Sequence, residues 1–336
     1  MGGAGIQDRT GVPNRRGGRR ALKTWSTPAR EEERGMVPCA LCGISPGGPP
    51  VKGSPPGGPF RPYLSCEGFS YVRCERCGLV QMNPQPLPGD VRRRYREEHG
   101  DDYLSYEIAN EGAFLRLQEL ALRDAGFYDP RRETPQSPRD RRILDVGCAT
   151  GALLETLRDQ GWDTAGVEIS PQEAEYARKK RRLDVRTLPL EENGFPSAGF
   201  TAVLASHLIE HLNDPASFVR EVHRILVPGG RFFVTTPNID GFQARLFRNR
   251  WRSAIFDHLY LFSIKTLSAL LRGAGFRVER IVTWGGLAAG IAPAPFKAIL
   301  DRGAKRFGFG DVMIIRAAAV PLSPSGQAVS GSAPRR

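Results

Sequence analysis

The chain has 336 residues, enough for one large α/β domain and a smaller module at roughly 100 to 200 residues per domain. No segment reaches the roughly 18 uninterrupted apolar residues that a bilayer crossing needs, and the Arg-rich start has no apolar core of a secretion signal. The formal charge of +12 does not describe a nucleic-acid surface either: residues 1–35 hold eight Lys and Arg against four Asp and Glu, and Arg335 and Arg336 add two more charges in another aperiodic segment. A cytoplasmic protein with no membrane span and no nucleic-acid partner is expected.

Residues 1–35 mix Gly, Arg and Pro without periodicity and read as a disordered basic tail, which makes Met36 the expected natural start. Residues 36–90 form a cysteine module. Cys39-Ala-Leu-Cys42-Gly43 and Cys74-Glu-Arg-Cys77-Gly78 are two C-x-x-C-G units, flanking a Pro/Gly-rich loop from Ser45 to Pro62. Each glycine allows a tight turn that aims backbone N–H groups at the sulfurs. Four thiolates at this spacing match a closed tetrahedral zinc site, and a module this small draws much of its folding energy from metal. Disulfides and a redox C-x-x-C are the alternatives; a cytoplasmic setting opposes the first and the duplication opposes the second. Cys66 belongs to neither unit and reads as a spare strand cysteine.

Residues 91–141 read as a helical connector. Arg92 to Arg94 suggest a solvated helix face, and Ile108 to Ala125 place Phe114, Leu115, Leu117, Leu120, Leu122 and Ala125 at helical spacings. A charged, Pro-containing linker, Arg131 to Arg142, precedes the main domain, residues 142–317.

That domain opens on Arg142-Ile-Leu-Asp-Val-Gly-Cys-Ala-Thr-Gly-Ala-Leu-Leu154: a buried strand, a glycine-marked turn and a helix start, with one carboxylate inside. Gly147-x-x-x-Gly151 is not the G-x-G-x-x-G of dinucleotide sites, and the charge of Asp145 would repel a pyrophosphate. A cationic ligand suits it better. The next strand ends at Glu168, 23 residues after Asp145, near the offset at which a βαβ unit presents an acid to ribose hydroxyls. S-adenosylmethionine, with its ammonium, sulfonium and ribose, satisfies both acids. Ile143 to Gly151 with Glu168, then Ser206-His-Leu-Ile-Glu-His-Leu-Asn-Asp-Pro215 and Ile225 to Asn238, resemble the class I S-adenosylmethionine-dependent methyltransferases. The cysteine units followed by Gly78-Leu-Val-Gln-Met-Asn-Pro-Gln-Pro86, Tyr95 and Tyr103 resemble a bacterial subgroup with an N-terminal zinc ribbon, many of whose members are similar to enzymes that modify sugars or polysaccharides.

The resemblance implies an α/β fold: a Rossmann-like seven-stranded sheet with helices on both faces and its last strand inserted antiparallel, plus the small ribbon. The pattern agrees, with strands at Ile143 to Val146, Thr164 to Val167, Asp184 to Thr187, Thr201 to Ala205, Arg231 to Thr235, Phe276 to Val282 and Asp311 to Arg316. Helices are expected at Ala152 to Gln160, Pro171 to Lys180, Pro215 to Ile225, Ser263 to Ala274 and near Ala294 to Arg306. Arg178 to Arg182 reads as a basic helix end, the uncharged stretch Ile281 to Phe296 as a wall of the active-site mouth, and residues 318–336 as a loose, disordered tail.

By the same resemblance the cofactor is held by Asp145, Gly147, Cys148, Ala149, Gly151, Glu168, Ile169, Thr187, Leu188, Ser206 and His207, and the helical connector, residues 91–141, is a lid over the cofactor site. Ala149 stands where the family often has glycine, and Thr201 where it often has Asp. His207-Leu-Ile-Glu-His211 also matches the H-x-x-E-H of inverted zinc proteases, but no third ligand is evident and the segment follows a strand, as it does in the methyltransferases. Methyl transfer needs alignment and at most one base, for which His211 and His258 are candidates. The segment Trp251 to Phe262 is either an acceptor pocket or a capping hairpin. The expected function is methyl transfer to a small-molecule or sugar- or polysaccharide-linked acceptor. An RNA methyltransferase using the ribbon for binding, and a non-catalytic cofactor-binding scaffold, are the alternatives.

Overall fold

The computed structural model describes residues 34–48, 58–98, 100–128, 141–285, 303–305 and 307–321. The N-terminal part contains β1 (Arg34–Gly35), β2 (Phe60–Cys66), β3 (Phe69–Cys74), β4 (Val80–Met82) and β5 (Gln85–Pro86). Then come α1 (Pro88–Arg93), a π-helical turn (Arg94–Glu98) and the long α2 (Gly100–Asp124). The main domain follows with β6 (Arg142–Val146), α3 (Ala152–Asp159), β7 (Asp163–Val167), α4 (Pro171–Arg181), β8 (Asp184–Arg186), β9 (Phe200–Ser206) and α5 (Pro215–Ile225). It ends with β10 (Leu226–Pro237), α6 (Phe242–Phe247), β11 (Tyr260–Leu261), α7 (Ile264–Gly273), β12 (Phe276–Trp284) and β13 (Val312–Ala319).

Seven strands form the central sheet in the order β12-β13-β10-β9-β6-β7-β8. Strands β6 to β10 run parallel, and β13 lies antiparallel between β10 and β12, as the sequence led us to expect. Strand β6 shows why: Ile143, Leu144, Asp145 and Val146 are all buried, the near-continuous run of a parallel strand covered on both faces. The helices start on defined signals. Asp214 accepts the Ser217 N–H at 2.8 Å ahead of Pro215 in α5, and Ser263 and Thr266 make a reciprocal capping box on α7. The chain runs from β6 outward to β8 and then returns to β9 on the other side of β6, so the strand order reverses between β6 and β9. In such sheets the ligand crevice lies at the carboxyl ends of the strands there.

The small sheet has the order β11-β4-β3-β2. Its fourth strand is contributed by the main domain: Tyr260 pairs with Gln81 and Leu261 with Val80. The Trp251 to Phe262 segment therefore packs as a cap, with Trp251, Phe256, Leu259, Tyr260, Leu261 and Phe262 all buried. Tyr71, fully buried in β3, donates its hydroxyl to the carbonyls of Ile255 at 2.8 Å and His258 at 2.7 Å. The Met82 N–H donates to Leu259 O at 2.8 Å.

Several boundaries differ from those expected. Arg34 and Gly35 pair with Gln85 and Pro86 rather than lying in a tail, and β13 runs to Ala319. Helix α2 begins eight residues before Ile108, because its polar first turns hide the start from an apolar periodicity. Arg94 is not solvated: it is 4% exposed, forms an ion pair with Asp257 and lies over the Phe256 ring, 4.6 Å from its centroid. Ile281 to Trp284 belong to β12 and Gly285 follows it; residues 286–296, the linker residues 129–140, residues 1–33 and residues 322–336 lie outside the described residues, as does most of the helix expected near 294–306. No helix among the described residues is long and apolar enough to cross a membrane.

Tyr71→Phe removes one hydroxyl and leaves the buried His258 carbonyl without its donor, while Ile255 O keeps the His258 N–H at 3.1 Å. It should lower the unfolding free energy by about 2 kcal/mol, read from urea denaturation, whereas substitution of exposed Tyr63 should change it by less than about 0.5 kcal/mol.

Candidate functional site

The loop after β6 is tied to the next strand. Gly147 N–H and Cys148 N–H both donate to Val167 O, at 2.7 and 3.2 Å. Gly147 sits at φ 77° and Gly151 at φ 79°, where glycine is unstrained. A Cβ on Gly151 would lie 2.5 Å from Leu183 Cδ1 and 3.2 Å from Ala177 Cβ, so only glycine lets α3 start this close to α4. Ala149, where the family often has glycine, adopts φ 47°, a conformation costing a non-glycine residue about 1 kcal/mol.

Two carboxyls stand at the ends of adjacent strands. Asp145 is 2% exposed; burial first, and then the neighbouring charge of Glu168, push its carboxyl up to about 8. Glu168 accepts the N–H groups of Ala149 and Ser170, each at 2.9 Å, yet burial still pushes it up to about 7. The ionised forms thus await a positive ligand or one rich in donors. Between α2 and the carboxyl ends of β6, β9 and β10 lies a narrow cavity lined by Gln118, Leu122, Asp145, Ser206 and Thr235.

Helix α2 lies over the loop and is latched to it. Thr150 donates to Glu111 at 2.8 Å, and Arg181 pairs with both Glu111 and Glu155 while donating to Thr150 O at 2.9 Å. The basic end of α4, read from sequence as a solvated helix end, therefore supplies the clamp that joins α2, the loop and α3.

Beyond β9 the chain makes a 3-10 turn, Ile209–His211, which collects a second group. Glu210 is 1% exposed and accepts from Thr236 Oγ1 at 2.9 Å; its other oxygen is 3.3 Å from His207 Nδ1. Burial acts to raise its carboxyl, but the His207 hydrogen bond and the neighbouring imidazoles pull it down to about 2. His211 Nδ1 is 2.7 Å from the Tyr95 hydroxyl, and its ring meets that of His258 edge-on at 4.7 Å. His258 Nδ1 is 2.8 Å from Ser253 O; burial, then His211, push its imidazole down to about 3.

The four ribbon thiols converge. Cys39 Sγ is 3.4 Å from Cys77 Sγ and Cys42 Sγ 3.6 Å from Cys74 Sγ, with all four within 4.8 Å of one another. Each C-x-x-C-G unit folds the same way: the Gly43 and Gly78 N–H groups donate to Cys39 O and Cys74 O, both at 2.8 Å. Tetrahedral zinc with Zn–S near 2.3 Å sets S···S edges of about 3.8 Å, so the thiols fit that ion.

Most residues read from sequence as cofactor neighbours gather at the strand ends: Asp145, Gly147, Ala149, Gly151, Glu168, Ile169, Ser206 and His207 all follow or end β6, β7 or β9. His207 is half exposed and held at φ 52°. Cys148 is different, for its side chain packs with Leu154, Ala174, Ala177, Leu183 and Val185, leaving only its backbone to the loop. Thr187 and Leu188 follow β8; Thr187 lines a basic surface cleft with Arg96, Arg178 and Lys179, and Leu188 is exposed. Sequence reasoning missed Glu111, Arg181, Arg94 and the tie of Tyr95 to His211. None carries a local spacing signal, since each acts on a partner far along the chain.

Residues 116–281 match the family model described as "Methyltransferase domain". A ubiquinone biosynthesis O-methyltransferase of Methylocella silvestris is 35% identical over 133 residues, covering 38% of this chain and 51% of the relative. An S-adenosylmethionine-dependent methyltransferase of Mycolicibacterium smegmatis is 32% identical over 142 residues, covering 41% and 53%. The chain spans about half the length of the curated relatives it matches. Among solved structures, a chain of the complex between the Haloferax volcanii Trm112 methyltransferase activator and a methyltransferase superposes with TM-score 0.50 at 19% identity, over 68% of this chain and 99% of that one, a likeness of fold. The chain thus carries a methyltransferase domain of the S-adenosylmethionine-dependent, class I type.

Proposed function

We propose that the protein transfers the methyl group of S-adenosylmethionine to a hydroxyl of a small-molecule or sugar-linked acceptor, and that its ribbon holds one structural zinc ion. The observation that carries the cofactor assignment is the pair of buried carboxyls, Asp145 and Glu168, at the ends of β6 and β7, both raised and both short of positive charge. That donor set fits a ligand with an ammonium group and ribose hydroxyls, and it opposes a phosphate. When bound, the cofactor would supply a methyl group already activated by its sulfonium. Asp145 would neutralise positive charge, Glu168 would accept from the ribose, and Ser206 would line the crevice. Helix α2, through Glu111 and Arg181, would close the site against water.

The acceptor side belongs to the turn after β9. His211, backed by Tyr95, and neutral His258 are the groups best placed to hold a hydroxyl and its proton. Oxygen as the acceptor atom is supported by the relatives named as O-methyltransferases. Alignment of the two reactants then supplies most of the rate.

Calorimetry with S-adenosylmethionine should give saturable binding, weakened at least tenfold in Asp145→Asn, the loss of a charged hydrogen bond of about 1.5–3 kcal/mol. Unaltered affinity would refute the assignment. The sign of the pH effect also follows. Both carboxyls bind protons more tightly in the fold than in the open chain, so without cofactor the fold loses stability as pH rises from about 4 to 8. A cation on the ionised pair reverses that preference. Cofactor affinity should therefore fall as pH drops from 8 to 6, by up to about tenfold per unit for each carboxyl that must ionise, and binding should release protons. Elemental analysis should find one zinc per chain in the wild type, lost together with cooperative unfolding of the ribbon in Cys74→Ser.

A further inference from the structure

The H-x-x-E-H segment has a third partner that its sequence does not reveal. Glu210, His211 and His258 each offer one ligand atom, and these atoms lie within 4.8 Å of one another. The motif's first histidine, His207, is not among them: it is half exposed and rests on Glu210 from outside. We propose that Glu210, His211 and His258 form a second metal site, distinct from the ribbon, that takes a divalent cation such as Zn2+, Co2+ or Mn2+.

The argument rests on which atoms are already committed. The Ser253 carbonyl can only accept, so its 2.8 Å contact fixes the proton of His258 on Nδ1 and leaves the Nε2 lone pair as the donor for a cation. His211 has its Nδ1 against the Tyr95 hydroxyl at 2.7 Å; when Nδ1–H donates to that oxygen, Nε2 is again the free donor. Glu210 receives Thr236 Oγ1 on one oxygen at 2.9 Å, which orients the carboxylate. Every ligand thus has the outer partner that metal-binding imidazoles and carboxylates characteristically carry, a backbone carbonyl, a phenol and a hydroxyl. Two imidazoles and one carboxylate suit zinc, cobalt, manganese or iron and leave coordination positions open.

Burial points the same way. Glu210 is 1% and His258 7% exposed, while His211 is only partly buried, so an open position would face out from His211. The site is prepared from afar: Tyr71 of the ribbon sheet holds His258 O, and Arg94 pairs with Asp257 next to it. A cation here would polarise an acceptor oxygen, a role that rests on the proposed methyl transfer; the binding itself does not.

The test uses the full-length protein with its ribbon metal in place. Titration with Co2+ should load one further equivalent per chain, giving weak d–d bands without the sulfur charge-transfer absorption of a thiolate site. Glu210→Gln and His258→Ala should each weaken uptake more than about 100-fold, and Tyr95→Phe, which removes an outer partner, by about 10- to 100-fold, with the ribbon metal retained in all three. In the wild type, Zn2+ should shift the ring NMR signals of His211 and His258 while leaving those of His223 unchanged. No second equivalent in the folded wild type, or uptake that survives Glu210→Gln and His258→Ala, would overturn the proposal. So would unshifted His211 and His258 signals. Loss of S-adenosylmethionine binding in Asp145→Asn with cobalt uptake intact separates the two assignments.

Discussion

Two acids placed side by side set the terms for the main domain. The parallel register pairs Val146 with Val167, so β6 and β7 end together and bring Asp145 and Glu168 to one rim. Burial raises both, the charge of Glu168 adds to it at Asp145 and those of Glu173 and Glu107 at Glu168, and ionising the pair in this setting calls for compensation. Nearby cations are kept elsewhere: Arg181, the closest basic clamp on the loop, is engaged by Glu111 and Glu155. The protein thereby leaves both acids without an internal cation, and protonation stands in for one. A cationic ligand supplies what the fold withholds, and binding energy then comes from charge as well as contact.

The proposed acceptor side depends on a different constraint. The turn after β9 and the cap that carries His258 come from separated parts of the chain, 47 residues apart between His211 and His258; the Leu259 N–H joins them by donating to Glu210 O at 2.7 Å, and ribbon elements hold the cap. Tyr71 holds the carbonyls at both ends of the His258 turn, Leu259 O takes the Met82 N–H, and β11 completes the ribbon sheet. The ribbon is therefore part of the wall on which the histidines stand, more than an appended module. Its modest charge fits such a role better than capture of a polyanion.

The glycine loop, its two acids and the four cysteines were legible because each is a local pattern whose spacing alone encodes the turn and the ligand geometry. The succession of strands and helices was legible for the same reason, as alternation of short apolar runs and amphipathic helices, whereas the antiparallel insertion of the last strand followed from the family resemblance. What escaped is non-local. Arg94 reaches Asp257 over 163 positions and Tyr71 reaches His258 over 187, and no periodicity signals either. The H-x-x-E-H segment shows a subtler failure. Histidines four apart share a face only on an α-helix, whereas here the segment is a 3-10 turn entered through His207 at φ 52°. The first histidine turns outward, and a distant one takes its place.

The two N-terminal elements therefore divide the work. Helix α2 reaches the cofactor side through Glu111, Thr150 and Arg181, so its docking and the geometry of the glycine loop change together. The ribbon reaches the acceptor side through β4, β11 and the cap, so its integrity and the placement of His258 change together. Between them runs the π-helical turn Arg94–Glu98, whose Arg94 is anchored in the cap and whose Tyr95 touches His211. The turn continues into α2, so the chain itself links the helix over the proposed cofactor site to the proposed acceptor histidines, His211 and His258. In-line methyl transfer demands that both reactants be held at once, and this connection adds to the direct one, in which His207, just after β9, rests on Glu210 at 3.3 Å.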